Sequence, residues 1–318
     1  MSIQKESKLA KIIAISGTTA SGKTSLGVDL AYNFEGEIIS ADSRQVYKGM
    51  DIGTGKDLDE YVIRDKADKK FKIPYHLIDV VEPNREFNLA EFQKMAYQAI
   101  ERVLSKNKLP IVVGGTGLYL QSLIDGYQLS GAGQDMELRS ESEQLSSQDL
   151  FEEIKKRNPG FASRINSSDK KNKLRLIRYL EVLSGQEDSN TKNAGVPKFD
   201  SLVLGLTHPM EELEKRIYRR LVQRLEQEGL IDEVERLHQE GLSWSGLEKF
   251  GLEYRWVAYY LQEKIDYEEM LEKLYLQIRK FAKKQITWLK RWERQGRRIH
   301  WIKSREEARD LVRDFIKK

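Results

Sequence analysis

A glycine-rich loop near the amino terminus constrains the fold of this chain more than any other feature. The apolar, β-branched run at 11–16 predicts a buried strand, and large apolar residues at four-residue spacing after residue 24 predict a helix. Between them, "GTTASGKT" at 17–24 has the spacing of a phosphate-binding loop. A strand, a glycine loop and a helix in this order aim the helix N-terminus at an anion. An ordinary Gly/Ser-rich turn is the alternative, and the predicted strand before the loop and the predicted helix after it disfavour such a turn.

The residue types in this loop suit a phosphate and a magnesium ion. Glycines let the backbone turn so that several N–H groups point at one anion. Lys23 adds a positive charge, and the Thr24 hydroxyl is a candidate Mg²⁺ ligand. The candidate phosphate-binding residues are Gly17, Thr18, Thr19, Ala20, Ser21, Gly22, Lys23 and Thr24. The loop alone leaves open whether the phosphate is transferred or released.

Strand and helix patterns alternate through the first half of the chain, as a parallel α/β sheet requires. Further strands are predicted at 37–40, 76–81, 111–117, 201–207 and 298–303, and a helix at 88–105. Residues 131–197 are polar, with two short helical segments and no predicted strand. We therefore predict an α/β fold with a parallel-sheet core at 1–130 and 198–318, a helical insertion at 131–197 and a helical C-terminal part.

Composition excludes several classes of protein. The chain of 318 residues is 39% hydrophobic and 33% charged, and no apolar run approaches the length of a membrane span. The absence of cysteine excludes disulfides and thiolate metal sites and favours a reducing compartment. Residues 1–10 lack the apolar core of a signal peptide. We expect a cytoplasmic monomer that does not bind a membrane.

Two polar residues follow predicted strands at the edge of the sheet where ligands of such folds bind. Asp42 comes directly after the strand at 37–40 and is a candidate general base or magnesium partner. An aspartate before a serine also starts turns, so a capping role is the alternative. Thr116 lies in a glycine turn after the strand that begins at 111, where it either meets a phosphate or only forms the turn.

The C-terminal region predicts a helix with one basic face. The basic positions at helical spacing are Lys280, Lys284, Arg291 and Arg294. The opposite face, predicted to be buried, holds Ile278, Ala282, Gln285, Leu289 and Trp292. A second cluster in the insertion, with Asp169 as its one acidic residue, comprises Arg164, Lys170, Lys171, Lys173, Arg175 and Arg178. Solvated faces normally mix both signs of charge, so these two clusters favour a polyanion over ordinary surface.

Six segments together resemble the tRNA dimethylallyltransferases, also called tRNA isopentenyltransferases. The segments are "GTTASGKT", "ISADSRQVYKGMDIGTGK", "HLID", "VGGTGLY", "RLIRYLEVLSG" and "FAKKQITWLKRW". They follow the family order from about residue 13 to 292. The resemblance implies a P-loop NTPase-like core with a channel, and an insertion that contacts the anticodon stem-loop of tRNA. It also implies transfer of a dimethylallyl group from dimethylallyl diphosphate to the exocyclic amine of adenosine 37, with release of diphosphate.

The resemblance also implies roles for individual positions. Asp42 matches the family's general base, and Thr116 matches the threonine that supports the diphosphate and the nucleotide. Arg216 and Arg220 match arginines near the diphosphate, where Lys23 also acts. Together with the basic face, the residues expected to contact tRNA are Asp42, Ser43, Arg44, Gln45, Thr116, Arg139, Leu174, Arg175, Arg178, Lys280, Lys283, Lys284, Gln285, Lys290 and Arg291.

Four segments depart from the family pattern. The phosphate loop begins Gly-Thr-Thr where Gly-Pro-Thr is usual, and "GTGKD" at 53–57 replaces the usual "GTAKP". "FGLEYRW" at 250–256 stands where the family has a Gly-Tyr pair, and the insertion is shorter around 141–148. The difference at 250–256 bears on tRNA contacts there, and the shorter insertion bears on the strength of anticodon-arm binding and not on the chemistry.

Prenylation of an adenine amine needs assistance at both ends of the reaction, because the amine lone pair is delocalised into the ring. Asp42 can accept the amine proton, while the loop amides, Lys23 and Mg²⁺ held by Thr24 stabilise the departing diphosphate. Two alternatives remain. A P-loop small-molecule kinase holds ATP in the loop but leaves the basic helix unused. A non-catalytic RNA-binding protein with a nucleotide switch gives Asp42 no chemistry.

Overall fold

The computed structural model describes residues 9–65, 67–129, 135–184 and 195–318. Its strands are β1 Lys11–Gly17, β2 Gly36–Ser40, β3 Val62–Arg64, β4 Lys70–Lys72, β5 Tyr75–His76, β6 Leu109–Gly114, β7 Asp200–Leu206 and β8 His300–Trp301. Six of them form a sheet in the order β5-β2-β6-β1-β7-β8, in which every neighbouring pair is parallel. Strands β3 and β4 form a separate antiparallel hairpin, which the sequence did not predict.

Helices make up most of the remaining described chain. They are α1 Lys23–Asn33, α2 Leu89–Ser105, α3 Gly117–Ile124, α4 Met136–Ser142, α5 Ser147–Arg157, α6 Pro159–Ser163, α7 Lys173–Ser184, α8 Met210–Glu226, α9 Leu230–Gln239, α10 Trp244–Phe250, α11 Leu252–Leu261, α12 Tyr267–Arg294 and α13 Arg305–Lys317. Short 3₁₀ helices occupy Leu58–Tyr61 and Asp169–Lys171. Across these described ranges, no helix has both the length and the apolar character needed to cross a membrane.

The chain divides into two compact units. One comprises Met1–Asp125 with Pro197–Lys318, and the other comprises Gly126–Val196. In the second unit α5, α6 and α7 pack around Leu150, Ile154 and Leu176. Its described residues contain four α-helices and no strand, so the predicted number of two helices was too low. Residues 131–134 and 185–194 of the predicted insertion lie outside the described chain.

The sheet is apolar because helices cover both of its faces. Successive residues of β1 alternate between the faces, with Ile12 on one and Ile13 on the other. Helices α2 and α3 contribute to the apolar cluster around Ile12, and α1 and α13 contribute to the cluster around Ile13. A doubly covered parallel sheet explains the continuous apolar runs of the sequence. The predicted α/β fold with a parallel-sheet core is confirmed.

The strand predicted at 76–81 is wrong beyond His76. Leu77 and Asp79 have φ of 63° and 56°, in the left-handed region, so the strand pairing ends there. The Asp79 carboxylate instead forms an ion pair with the buried Lys56 ammonium, and the Val80 and Val81 N–H groups donate to the Val46 carbonyl. A non-local ion pair therefore overrides the local strand pattern.

The loop after β2 is fixed by a buried carboxylate of α9. Glu233 accepts hydrogen bonds from the backbone N–H groups of Asp51, Ile52 and Gly53 at 2.7, 2.7 and 3.0 Å. The Tyr254 hydroxyl donates to the same carboxylate at 2.8 Å. Three of the four donors on this buried acid belong to the loop and tie it to α9, which matters because the loop borders the cavity described below.

A second buried carboxylate ties β2 to its neighbours and gives a pH-dependent prediction. Glu37 contacts His76 Nε2 at 2.8 Å and the ammonium groups of Lys106 and Lys108 at 3.1 Å. Burial alone raises the pKa of Glu37, but the hydrogen bonds from His76, Lys108 and Lys106 outweigh it and lower the pKa to about 2. The carboxylate therefore stabilises the fold above its unfolded-state pKa, and this contribution is lost as the pH falls toward 2.

We expect Glu37→Gln to lower the free energy of unfolding by roughly 2 kcal/mol at pH 6, a value discounted because both lysines are partly exposed. Urea unfolding at pH 6, 5, 4 and 3 measures the difference between the two proteins. The difference should shrink from pH 5 downward, because Glu37 of the unfolded wild-type chain then takes up a proton while the native carboxylate, with its pKa of about 2, stays ionised. A difference that stays constant over this range would contradict the assignment.

Candidate functional site

A cavity of about 480 Å³ opens where the carboxyl ends of β1, β2 and β6 meet α12. Lys23, Asp42 and Thr116, the three residues predicted to be catalytic, all line it. The ends of β2 and β6 can approach each other because residue 114 is glycine. A Cβ atom at Gly114 would lie 2.1 Å from the Ala41 carbonyl oxygen. The structure therefore brings together three residues that the sequence places on separate segments.

The predicted phosphate loop lies between this cavity and an adjoining one of about 850 Å³. Thr19, Lys23 and Thr24 line the first cavity, and Ala20 and Gly22 line the second. The loop thus presents different residues to the two cavities. Gly22, with φ of 86°, caps the N-terminus of α1, so the helix starts directly at the loop.

Three loop residues are less accessible to a ligand in this conformation than the sequence suggested. Thr18 and Ser21 are buried, and their hydroxyl groups have no hydrogen-bond partner within the described chain. The Thr19 N–H donates to the Gln285 side-chain oxygen at 2.8 Å, so this amide is not free to bind an anion in the present conformation.

Lys23 is the charged residue of the loop. Among the described residues, its ammonium donates one hydrogen bond, a long one of 3.4 Å to the Thr18 carbonyl. Burial lowers the pKa of Lys23, Asp42 opposes this effect, and the positive charge of Arg220 adds to it. An anion in the cavity would stabilise the charged form of Lys23, because this ammonium is desolvated and repelled by a neighbouring cation.

Asp42 has the turn-forming contact of the capping alternative and also lines the cavity. Its Oδ1 atom accepts a hydrogen bond from the Arg44 N–H at 2.9 Å, which is the turn-forming contact of the capping alternative. The same carboxylate also faces the cavity. Burial lowers the pKa of the Arg44 guanidinium, and the charges of Asp42 and Glu253 oppose that shift.

Thr116 joins the ends of two neighbouring strands. Its Oγ1 atom accepts the Ser43 N–H at 3.1 Å. The Gln45 amide extends the connection, because it donates to the Gly55 carbonyl at 2.8 Å and its oxygen accepts from the Ser40 hydroxyl at 2.9 Å. These contacts hold the backbone after β2 beside the cavity.

The basic helix has the predicted orientation. Its apolar face is buried throughout, at Ile278, Ala282, Gln285, Leu289 and Trp292. The basic side chains expected to contact tRNA are exposed, and none forms an ion pair with another described residue: Lys280, Lys283, Lys284, Lys290 and Arg291. Lys280 and Lys284 also line the cavity, and the Arg291 guanidinium lies 5.4 Å from the Trp288 ring centroid.

Gln285 differs from the other residues expected to contact tRNA. Only 7% of it is exposed, and both ends of its amide are used within the protein. The oxygen accepts from the Thr19 N–H, and the nitrogen donates to the Gly115 carbonyl at 3.0 Å. Gln285 therefore links the phosphate loop to the glycine turn, a role that its position on the buried face of the helix could have indicated.

The two predicted diphosphate arginines occupy different positions on α8. Arg220 lines both cavities, whereas Arg216 lines only the adjoining cavity and pairs with Glu212 at 2.8 Å. Arg224, which the sequence analysis did not select, is nearly buried and also lines the first cavity. The Asp57 carboxylate contacts both Arg220 and Arg224.

The basic residues of the second unit are more balanced by acids than the sequence indicated. Arg139 and Arg178 both pair with the buried Glu181, at 2.6 and 3.0 Å, and Arg175 pairs with Asp169. Burial raises the pKa of Glu181, but the hydrogen bonds from Arg139 and Arg178 lower it overall. Leu174 on the same helix is 77% exposed. These arginines stabilise the unit, and their contact with tRNA stays a prediction.

Comparison with known proteins identifies the family. The family model described as IPP transferase matches residues 45–292. The chain belongs to the IPP transferase family. Proteins named tRNA dimethylallyltransferase 1 are 42% identical in Geotalea uraniireducens, with 95% of this chain and 97% of the relative covered. In Syntrophus aciditrophicus the identity is 45%, with 92% and 94% covered.

Solved structures agree with this membership in the IPP transferase family. A tRNA isopentenylpyrophosphate transferase from Bacillus halodurans is 32% identical, with a TM-score of 0.66, and the match covers 96% of this chain and 95% of that one. A eukaryotic dimethylallyltransferase acting on tRNA is 28% identical, with a TM-score of 0.72, and the match covers 88% and 70%. The resemblance inferred from the six segments is confirmed, and so is the P-loop NTPase-like fold.

Besides Arg224, two more residues around the site were missed by sequence reasoning. Glu253 is a buried acid that lines the cavity, and burial raises its pKa against the opposing charge of Arg224. It lies in the segment 250–256, whose departure from the family pattern was the available signal. Lys56 is fully buried and donates to the Tyr47 carbonyl at 2.7 Å and to Asp51 at 2.6 Å. The sequence gives no comparable signal for Lys56, because a single lysine after a glycine does not indicate a buried ion pair.

Proposed function

We propose that this enzyme transfers a dimethylallyl group from dimethylallyl diphosphate to the exocyclic amine of adenosine 37 in tRNA. The observation that carries the proposal is the convergence of three kinds of residue on one cavity. Lys23 belongs to a phosphate loop, Asp42 is a carboxylate with no cation paired to it among the described residues, and Lys280 extends from a basic helix face. A small-molecule kinase does not need the basic helix face that carries Lys280.

The reaction exchanges one bond for another. The adenine amine nitrogen attacks the allylic carbon that carries the diphosphate, a carbon–nitrogen bond forms, and the carbon–oxygen bond breaks. The electron pair leaves with the diphosphate, whose charge Lys23 and the loop stabilise. Asp42 accepts the proton that the amine loses, and Thr116 holds the backbone beside it. The loop therefore retains a leaving group, and no phosphoryl group is transferred.

The residues present suit a magnesium ion bound with the diphosphate. The Thr24 hydroxyl and the Asp42 carboxylate line the same cavity, and oxygen atoms of these types are the ligands that Mg²⁺ prefers. When bound, the ion would neutralise charge on the departing diphosphate. Thr24 would hold it at the first turn of α1, beside Lys23.

Recognition of tRNA rests on charge. Adenosine 37 must leave the base stack to enter this cavity, at a cost of a few kcal/mol. Phosphate contacts from the exposed basic face of α12 can offset that cost. We extend the proposal to the anticodon stem-loop as the bound region and to a cytoplasmic monomer as the working form.

We expect replacement of Lys280, Lys284 and Arg291 by alanine to flatten the salt dependence of tRNA binding. Up to about three phosphate contacts are lost, so the slope of log affinity against log salt should fall by roughly 2 to 3. A control with alanine at the exposed hairpin residues Lys69, Lys70 and Lys72 removes the same charge.

Filter binding of tRNA across a salt series measures the three slopes. Equal slopes would identify the α12 face as ordinary solvated surface. Lys280 and Lys284 also line the cavity, so calorimetry with inorganic diphosphate shows separately whether they act on the donor.

One experiment tests the proposed function as a whole. The protein is incubated with tRNA and Mg²⁺, together with either labelled dimethylallyl diphosphate or labelled ATP. Label should enter the tRNA from the first compound, and digestion should place it on adenosine 37. Transfer of label only from ATP would indicate a kinase, and tRNA binding without any transfer would indicate an RNA-binding switch.

A further inference from the structure

An acid in the adjoining cavity competes for one of the cations of the proposed diphosphate site. Asp57 lies in the loop between the buried Lys56 and the 3₁₀ helix at Leu58–Tyr61. Its carboxylate contacts Arg220, and its other oxygen accepts from Arg224 Nη2 at 3.2 Å. Arg220 lines the same cavity as Lys23, and the repulsion between these two cations contributes to the lowered pKa of Lys23. Asp57 reduces that repulsion.

The backbone around Asp57 is built to bring it to these arginines. Asp57 has φ of 45° and ψ of 53°, a left-handed conformation that only glycine, asparagine and aspartate adopt at low cost. Gly55, with φ of 64°, leaves room for the guanidinium groups. A Cβ atom at Gly55 would lie 2.3 Å from Arg224 Nη2 and 2.7 Å from Arg220 Nη2.

The two arginines differ in their freedom to move. The Arg224 side chain is 8% exposed and packs in the protein, whereas the Arg220 side chain is 32% exposed and borders both cavities. If Arg220 turns toward an anion in the cavity, Asp57 keeps its hydrogen bond from Arg224. After this exchange the Asp57 carboxylate still has a partner. The cost of a buried charge without a partner is therefore avoided.

We propose that Asp57 is an exchangeable counter-ion that pairs with Arg220 and yields it to diphosphate when diphosphate binds. This inference rests on the proposed function. Asp57 weakens diphosphate binding because the bound diphosphate must first displace a carboxylate. The consequence for the enzyme is faster release of the product diphosphate, at the expense of affinity for the diphosphate end of the donor.

The test is calorimetric binding of inorganic diphosphate at fixed Mg²⁺ and salt. We expect Asp57→Asn to bind diphosphate about tenfold more tightly than the wild-type chain, because Arg220 loses its competing charge. Asparagine retains an oxygen acceptor and tolerates the left-handed backbone, so the fold should persist. Asp57→Gly, which fits the same φ, serves as a second variant in case the amide distorts the loop.

Two controls separate local competition from net charge. Asp59→Asn removes an exposed carboxylate two positions further on, with no ion pair to either arginine in the described structure, and should leave diphosphate affinity within about twofold. In an Arg220→Ala background, Asp57→Asn should produce no gain, because the contested cation is absent.

The outcomes distinguish this inference from the proposed function. A wild-type chain that does not bind diphosphate overturns both. If the wild type binds, then unchanged or weaker binding by Asp57→Asn overturns the counter-ion role alone, since weaker binding would mean that Asp57 positions Arg220 for the ligand. If Asp59→Asn increases diphosphate affinity as much as Asp57→Asn does, the effect comes from net charge, and the counter-ion role of Asp57 is overturned as well.

Discussion

Replacement of Asp42 by asparagine should slow prenyl transfer about a thousandfold, the typical loss when a general base is removed. The substitution removes basicity but keeps an oxygen that can accept the Arg44 N–H now bonded at 2.9 Å. The turn after β2 should therefore survive, and tRNA affinity should stay within a few-fold. Single-turnover rates at saturating tRNA and donor measure the chemical step without interference from binding.

Asp42→Ala separates the two roles of this carboxylate. Alanine removes both the base and the acceptor for the Arg44 N–H, so this variant should lose as much rate and about 1 kcal/mol of stability in addition. Thermal unfolding of both variants gives the second quantity. A rate for Asp42→Asn close to that of the wild type would show that the carboxylate only forms the turn, and the base would have to be sought elsewhere in the cavity.

Local patterns in the sequence predicted the parts of the site that local geometry produces. The strand, loop and helix around Lys23 follow from residues that are adjacent in the chain, and so does the glycine turn before Thr116. The helical periodicity of α12 correctly separated its buried and basic faces. Such features depend on spacing within one element, which a single sequence displays.

The contacts that complete the site are not local. Gln285 bonds to Thr19 across 266 positions, and Arg224 bonds to Asp57 across 167. The periodicity of a sequence cannot predict such pairs, because they depend on which elements the fold brings together. The segment at 76–81 illustrates the same limit, since its apolar pattern is typical of a strand and its backbone is instead turned at Leu77 and Asp79.

Removal of the loop charge should be the second large effect on catalysis. We expect Lys23→Ala to lower kcat for prenyl transfer by about a hundredfold or more and to weaken diphosphate binding, because the ammonium stabilises charge that grows as diphosphate departs. Its one hydrogen bond within the described protein is the 3.4 Å contact with the Thr18 carbonyl, so the fold should hardly change. Steady-state kinetics with varied donor and calorimetry with diphosphate measure the two effects.

The pH dependence of diphosphate binding distinguishes Lys23 from an ordinary surface lysine. Burial lowers its pKa below the usual 10.5, so the charged form that binds an anion is lost earlier as the pH rises. Affinity for diphosphate should therefore begin to fall at a lower alkaline pH than that value suggests. In Lys23→Arg the charge persists at every accessible pH, so the part of this decline that depends on residue 23 should disappear, although the planar guanidinium should restore little activity. Identical alkaline declines in the two proteins, or full activity of Lys23→Ala, would remove Lys23 from the diphosphate site.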